Sequence, residues 1–196
     1  APAPTRAEAS DVATAVYDGA DAVMLSAESA SGDYPVESVE IMSRIITRVE
    51  RGPLYHRMME ASHSEPEPTT SDAITLAASQ IAHTIGAAAI VTFTATGGTT
   101  LRAARERPEC PIIGITRNPE IARQLAIVWG VHALENRQAH DFEEATHLGC
   151  HQALAQEFAK LNDRVVITAG VPFNVEGSTN VLRIARIRDV HVKSNG

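Results

Sequence analysis

The run Thr94-Ala95-Thr96-Gly97-Gly98-Thr99-Thr100 puts hydroxyls beside paired glycines, between an apolar stretch at 88–93 and a helical segment at 99–106. Glycines let backbone approach a ligand closely, and free N–H groups at a helix start attract an anion. The hydroxyls of Thr94, Thr96 and Thr99 can donate to phosphate oxygens. Residues 94–99 (Thr94, Ala95, Thr96, Gly97, Gly98 and Thr99) therefore form a candidate phosphate cradle. The loop is neither a Walker motif, since no lysine follows the glycines, nor GxGxxG. A turn that simply needs glycine is the alternative reading. A second loop, 169–180, reads AGVPFNVEGSTN and carries Gly170, Gly177, Ser178 and Thr179. It follows another strand at the same edge of the expected sheet, where open α/β sheets bind ligands. Two such loops can face one crevice, or the longer can merely cover the sheet.

His147 and His151 stand four apart on a predicted helix with Cys150 between them and His140 and Asp141 upstream, a spacing able to hold a metal. The glutamate of HExxH is missing and Cys150 fits the helix's apolar stripe, so a solvated histidine face is the favoured reading and no metal site is expected. Arg183, Arg186 and Arg188 alternate with Leu182, Ile184 and Ile187. They mark a charged edge strand or a subunit contact. No catalytic set emerges: there is no GxSxG elbow, no cysteine with an evident base, and no recognisable acid pair.

The elements that must position these residues follow an α/β grammar. Thr5 and Glu8 form a capping box for a helix to about Asp18, stopped by Gly19. Residues 22–25, AVML, read as a buried strand, and Pro35 opens a helix carrying Val36, Val39, Ile46 and Val49. The next strand candidate lies far downstream, so the first third reads as a piece of a larger sheet or barrel. The stretch 62–70, SHSEPEPTT, is the best boundary. Beyond it come a helix burying Ile74, Ala78, Ile81 and Ile85, and strands at 88–93, 111–116, 131–134, 165–168 and 181–192. Between them, Asn118 caps a helix that Gly130 stops, and a later helix lines up Cys150, Leu154, Phe158 and Leu161. The expected fold is a three-layer α/β/α domain (71–196) with a mostly parallel five-stranded sheet, behind a 62–70 linker and a barrel remnant (1–61).

Composition narrows the classes. The 196 residues are 44% hydrophobic and 21% charged, as in a soluble globular protein. Seventeen Lys and Arg against 24 Asp and Glu give a net charge of -7, against non-specific nucleic-acid binding. No apolar run approaches the ~20 residues of a membrane span. Two distant cysteines, Cys110 and Cys150, without a leader suggest a reducing, cytoplasmic setting. The chain opens at Ala1 without Met, which reads as a truncated protein.

Residues 4–45, PTRAEASDVATAVYDGADAVMLSAESASGDYPVESVEIMSRI, closely resemble the end of the catalytic barrel of pyruvate kinase. The TATGGTT loop, PIIGITRNPEIARQL and the closing AGVP…GSTNVLRI resemble its C-terminal domain. The resemblance implies a (β/α)₈ barrel with an inserted lid and a C-terminal regulatory domain, in a homotetramer. It implies the glycolytic transfer of phosphoryl from phosphoenolpyruvate to ADP, with Mg²⁺ and K⁺ whose ligands lie upstream of this chain. By that reading 22–26 is the eighth barrel strand, Ser26 and Glu28 have a supporting role at its C-terminal end, and the chain alone is inactive. Ala27 and Ser29 depart from the family's SGET. The resemblance also implies that 94–99 grips the phosphate of an allosteric effector and that 169–180 closes over it. Val171-Pro172-Phe173-Asn174 replaces an Arg-Pro-Gly loop, so a sugar monophosphate or AMP is expected. Self-association through 181–192 is implied too, with no nucleic-acid or membrane partner. The alternative is a free-standing phosphometabolite-sensing or oligomerisation module.

Overall fold

The computed structural model describes residues 3–62, 65–136, 139–173, 175 and 177–188. They fall into two compact units that divide at about residue 64.

The first unit is helical. α1 (Arg6–Tyr17) starts at the Thr5–Glu8 capping box: the Glu8 N–H donates to Thr5 Oγ1 at 3.3 Å, and the Thr5 N–H donates to Glu8 Oε2 at 2.6 Å. A short turn of helix, α2 (Ala27–Ala30), precedes α3 (Pro35–Glu50), and α4 (Pro53–Ala61) follows. Val16, Val49, Tyr55 and Met59 form a small core. The strand expected at 22–25 is absent: these residues pair with no neighbour, and Met24 is 87% exposed. A parallel strand exists only through its ladder partners, and among the described residues this unit supplies none. Val36 and Val39 do not join the core either.

The second unit is the expected α/β domain. α5 (Thr70–Ile85) is capped by Thr69, whose side chain accepts from the Asp72 N–H, and ends at left-handed Gly86. Then alternate β1 (Ala89–Phe93), α6 (Gly98–Arg105), β2 (Ile112–Thr116), α7 (Pro119–Leu125), β3 (Val131–Glu135), α8 (Phe142–Ala155), β4 (Arg164–Gly170) and β5 (Thr179–Arg186). The sheet order is β3-β2-β1-β4-β5. The first four strands are parallel, and β5 returns antiparallel along β4. Ile90, Ile112 and Val166 pack against Ala78 and Ala82 of α5 and Ala103 and Ala104 of α6. On the other face Val91, Ile113 and Ile167 meet Cys150 and Ala153 of α8. Side chains alternate across the sheet while both faces are covered, so the inner strands β1, β2 and β4 read as near-continuous apolar runs, whereas edge strands β3 and β5 are half-buried and carry polar residues.

The observed boundaries differ most in three places. α7 stops at Leu125, before the turn that reaches Gly130, and α8 stops at Ala155, leaving Phe158 and Leu161 beyond it. β5 ends at Arg186, because the pairing with β4 runs out at Arg164. Residues 189–192 of the expected last strand, and 63–64 of the expected linker, lie outside the described residues.

Candidate functional site

The strand order reverses between β1 and β4: from β1 the chain moves outward through β2 and β3, then returns to β1's other side. Crevices at the carboxyl ends of strands form at such points. Here one is lined by the end of β1 (Phe93), the end of β2 (Ile115, Thr116), the end of β4 (Gly170) and the start of β5 (Thr179).

Its floor comes from the first loop. The Thr94 hydroxyl accepts from the Gly97 N–H at 2.9 Å, closing a tight turn in which Gly97 takes φ 88°. Only glycine adopts that conformation without strain. α6 therefore begins directly at the sheet edge, with Gly98 and Thr99 lining the cleft and the N–H groups of its first turn lacking intrahelical partners. Thr94, Ala95, Thr96, Gly98 and Thr99 all line it. One residue further in, the Thr100 and Thr92 hydroxyls hydrogen-bond at 2.7 Å in a fully buried pair that fixes α6 on β1.

The roof comes from the second loop. Thr99 Oγ1 and Thr179 Oγ1 lie 2.6 Å apart, joining the helix start to the first residue of β5. Ser71 donates to the Gly177 carbonyl at 3.1 Å, and Ser178 to the Val175 carbonyl at 2.6 Å. A Cβ on Gly170 would stand 2.2 Å from Ser178 Oγ, so the two stems of the loop touch only because residue 170 has no side chain. At its base the Asn180 amide replaces a rung of the ladder: Val171 N–H donates to Oδ1 at 2.9 Å and Nδ2 donates to the Val171 carbonyl at 2.6 Å. Thus residues 94–99, Gly170, Gly177, Ser178 and Thr179 surround one crevice; of these Gly97 shapes the floor rather than lining it.

The charges in this crevice were not read from the sequence. Arg102 and Arg117 line it, and among the described residues no acidic side chain does. Arg102 is anchored by its Nε to Asp72 Oδ1 at 2.8 Å. The other oxygen of Asp72 accepts from Arg105 Nη2 and from the Glu67 N–H, each at 2.8 Å. Arg105 also reaches Glu106 at 3.1 Å. Burial alone would raise the Asp72 carboxyl, but the Arg105 contact, the Glu67 N–H and the Arg102 contact together hold it below the ordinary aspartate value of 3.8. One signal was available: Arg102 follows Gly98 by one helical turn and so shares its face of α6.

The remaining candidates lie elsewhere. Ser26 and Glu28 belong to the first unit, where the Ser26 N–H donates to Glu28 Oε2 at 2.9 Å. His147 and His151 occupy successive turns of α8, and among the described residues no three His, Cys, Asp or Glu side chains come together as metal ligands. Burial pushes the Cys150 thiol up to about 11, which keeps it protonated in the core. Arg183 bonds Glu143 at 2.6 Å and Thr146 at 3.3 Å, tying edge strand β5 to α8.

Comparison with known proteins agrees with this architecture. Residues 72–185 match the family model "Pyruvate kinase, alpha/beta domain", and residues 1–39 match "Pyruvate kinase, barrel domain". The chain is 50% identical over 192 residues to the pyruvate kinase of Methylorubrum extorquens, covering 98% of this chain and 40% of that protein. It is 42% identical over 195 residues to that of Geobacillus stearothermophilus, covering 100% of this chain and 33% of the relative. A crystal structure of a pyruvate kinase from Cryptosporidium parvum superposes with a TM-score of 0.84 at 34% identity, over 95% of this chain and 37% of that one. The chain thus spans two fifths or less of the length of these relatives. With more than half of its residues inside the alpha/beta-domain match and barrel-domain sequence ahead of it, the chain belongs to the pyruvate kinase family.

Proposed function

We propose that this chain is the effector-binding part of a pyruvate kinase, and that the crevice at the β1/β4 switch point takes a phosphorylated small metabolite. The observation that carries the reading is charge against composition. In a chain of net charge -7, this crevice gathers two arginines, a helix N-terminus and a row of Ser and Thr hydroxyls, with no carboxylate among the described lining residues. A phosphate group satisfies such donors, and the helix start adds a favourable dipole. The floor supplies the Thr96 hydroxyl, the Thr99–Thr179 pair keeps one O–H to give, and Ser178, whose own proton goes to the Val175 carbonyl, lines the roof. The single-phosphate classes named from the sequence, a sugar monophosphate or AMP, remain the proposed ligands.

In the whole enzyme, phosphoryl moves from phosphoenolpyruvate to ADP with Mg²⁺ and K⁺. The resemblance places the ligands of those ions upstream of this chain, so no step through them is proposed for it. Its part is regulatory. A ligand that binds one quaternary state better than another shifts the population toward that state by its differential affinity. The chain alone is proposed to lack turnover and to self-associate in a homotetrameric, cytoplasmic parent. The barrel-domain match over residues 1–39 favours an enzyme parent over a free-standing sensor.

Thermal shift tests the site. AMP or glucose 6-phosphate at about 100 times its dissociation constant should stabilise the second unit by roughly 2.7 kcal/mol, a rise of several degrees. The Thr96→Ala/Thr99→Ala variant should lose that rise while keeping its circular dichroism. A rise that survives in the double variant would move the ligand elsewhere.

A further inference from the structure

We propose that Arg102 is the cation that grips the phosphate in this crevice and that buried Asp72 is the positioning residue that aims it, so that the site selects a phosphate monoester over its unphosphorylated counterpart. This rests on the reading of the crevice as a phosphometabolite site and adds the residue that sets its selectivity.

Three observations converge on it. The first is the space above Gly98. A Cβ there would lie 3.0 Å from Arg102 Nη1 and 3.7 Å from Thr96 Oγ1. The guanidinium and a cradle hydroxyl therefore flank one point at the start of α6, where an anion also meets the helix N–H groups. Any side chain at position 98 would push Arg102 aside.

The second is how Arg102 is held. Its bond to Asp72 uses Nε, which turns the Nη edge toward the crevice that Arg102 lines. Asp72 is fully buried while Arg102 is 35% exposed, so the anchor is dry and the working end is within reach of solvent and ligand. The third is that Asp72 is fully engaged by Arg102, Arg105 and the Glu67 N–H, and Arg105 is additionally held by Glu106. Arg105, held by two carboxylates, does not line the crevice; Arg102, held by one, lines it beside Arg117 and is the one of the two that a buried carboxylate aims. A planar guanidinium fixed at one edge presents parallel donors to phosphate oxygens, which a lysine in the same place does not.

The test is isothermal titration of the full chain with AMP and glucose 6-phosphate, with adenosine and glucose as unphosphorylated controls. Arg102→Gln should weaken both phosphorylated probes about 10- to 100-fold, the range expected for losing charge-assisted hydrogen bonds. Arg102→Lys should recover part of that loss. Asp72→Asn alone should weaken binding severalfold, yet change it by less than about twofold when Arg102 is already Gln, because its effect passes through Arg102. An equal loss from Asp72→Asn in both backgrounds overturns the positioning role. If Asp72→Asn does not fold, Asp72→Glu, which keeps the charge but moves the anchor of Arg102, takes its place in both backgrounds, and an equal effect in the two overturns the positioning role. Binding unchanged in Arg102→Gln but lost in Thr96→Ala/Thr99→Ala overturns the role of Arg102 and leaves the site standing. If neither probe binds the unaltered chain, both readings fall.

Discussion

The two units of this chain differ in what their apolar residues touch. In the second, Ile90, Val91, Ile112, Ile113, Val165, Val166 and Ile167 have no accessible surface, because helices cover both faces of the sheet. In the first, four buried residues make the core, while Met24, Val36, Val39 and Leu54 stay 47% or more exposed. Equal skill in helix formation is visible in both, down to a complete capping box on α1. Local signals therefore build helices anywhere, whereas a core needs a second layer supplied from elsewhere in the fold. The unit that has that layer also has the crevice with converging cations and hydroxyls.

Substitutions can break or sharpen this contrast. Ile112→Ala in the sheet should cost about 2–5 kcal/mol, from lost transfer energy plus a cavity. Val36→Ala or Val39→Ala should fall within about 0.5 kcal/mol. Chemical denaturation of each variant gives the comparison, and similar costs in the two units would abolish it.

Acid supplies the next effect. Asp72 has its folded-state carboxyl held below the ordinary value, so the stability it contributes is present above about pH 4 and lost as pH falls through that depressed value. A melting series from pH 6 downward should show the second unit losing stability in that window. Asp72→Asn should flatten this part of the curve, and an unchanged slope would deny Asp72 the role. Gly170→Ala should cost about 1–3 kcal/mol by forcing the loop stems apart, read as a lower melting temperature of the second unit. Thr5→Ala should cost about 1 kcal/mol through the lost cap. Its effect should be confined to the first unit, as amide exchange of α1 would show.

What could be read without coordinates follows the same division. The inner strands of the second unit announce themselves as apolar runs, because burial on both faces leaves that imprint on contiguous residues, while β5 shows itself by arginines alternating with Leu182 and Ile184. The phosphate loop was legible for a similar reason: strand, glycines and helix are neighbours in the chain. By contrast 22–25 carries the same imprint yet forms no strand, since its apolar character says nothing about whether a ladder partner is at hand. α4 is not among the expected helices: Pro53 and the Tyr55–Met59 pair one turn apart are a weak signal. The Asp72–Arg102 bond spans 30 residues and joins two helices. In the sequence Asp72 looks like any acid in a first helical turn, and only the packing of α5 beside α6 turns it into a dry anchor.

The Asn180 amide that clasps Val171 has a consequence for how this site can diversify. A side chain thus seals the loop where it leaves the sheet, and the ladder of β4 with β5 ends on this clasp rather than on the backbone of the loop itself. Under the proposed effector reading, the residues between those stems are where ligand preference can change while β4 and β5 keep their register.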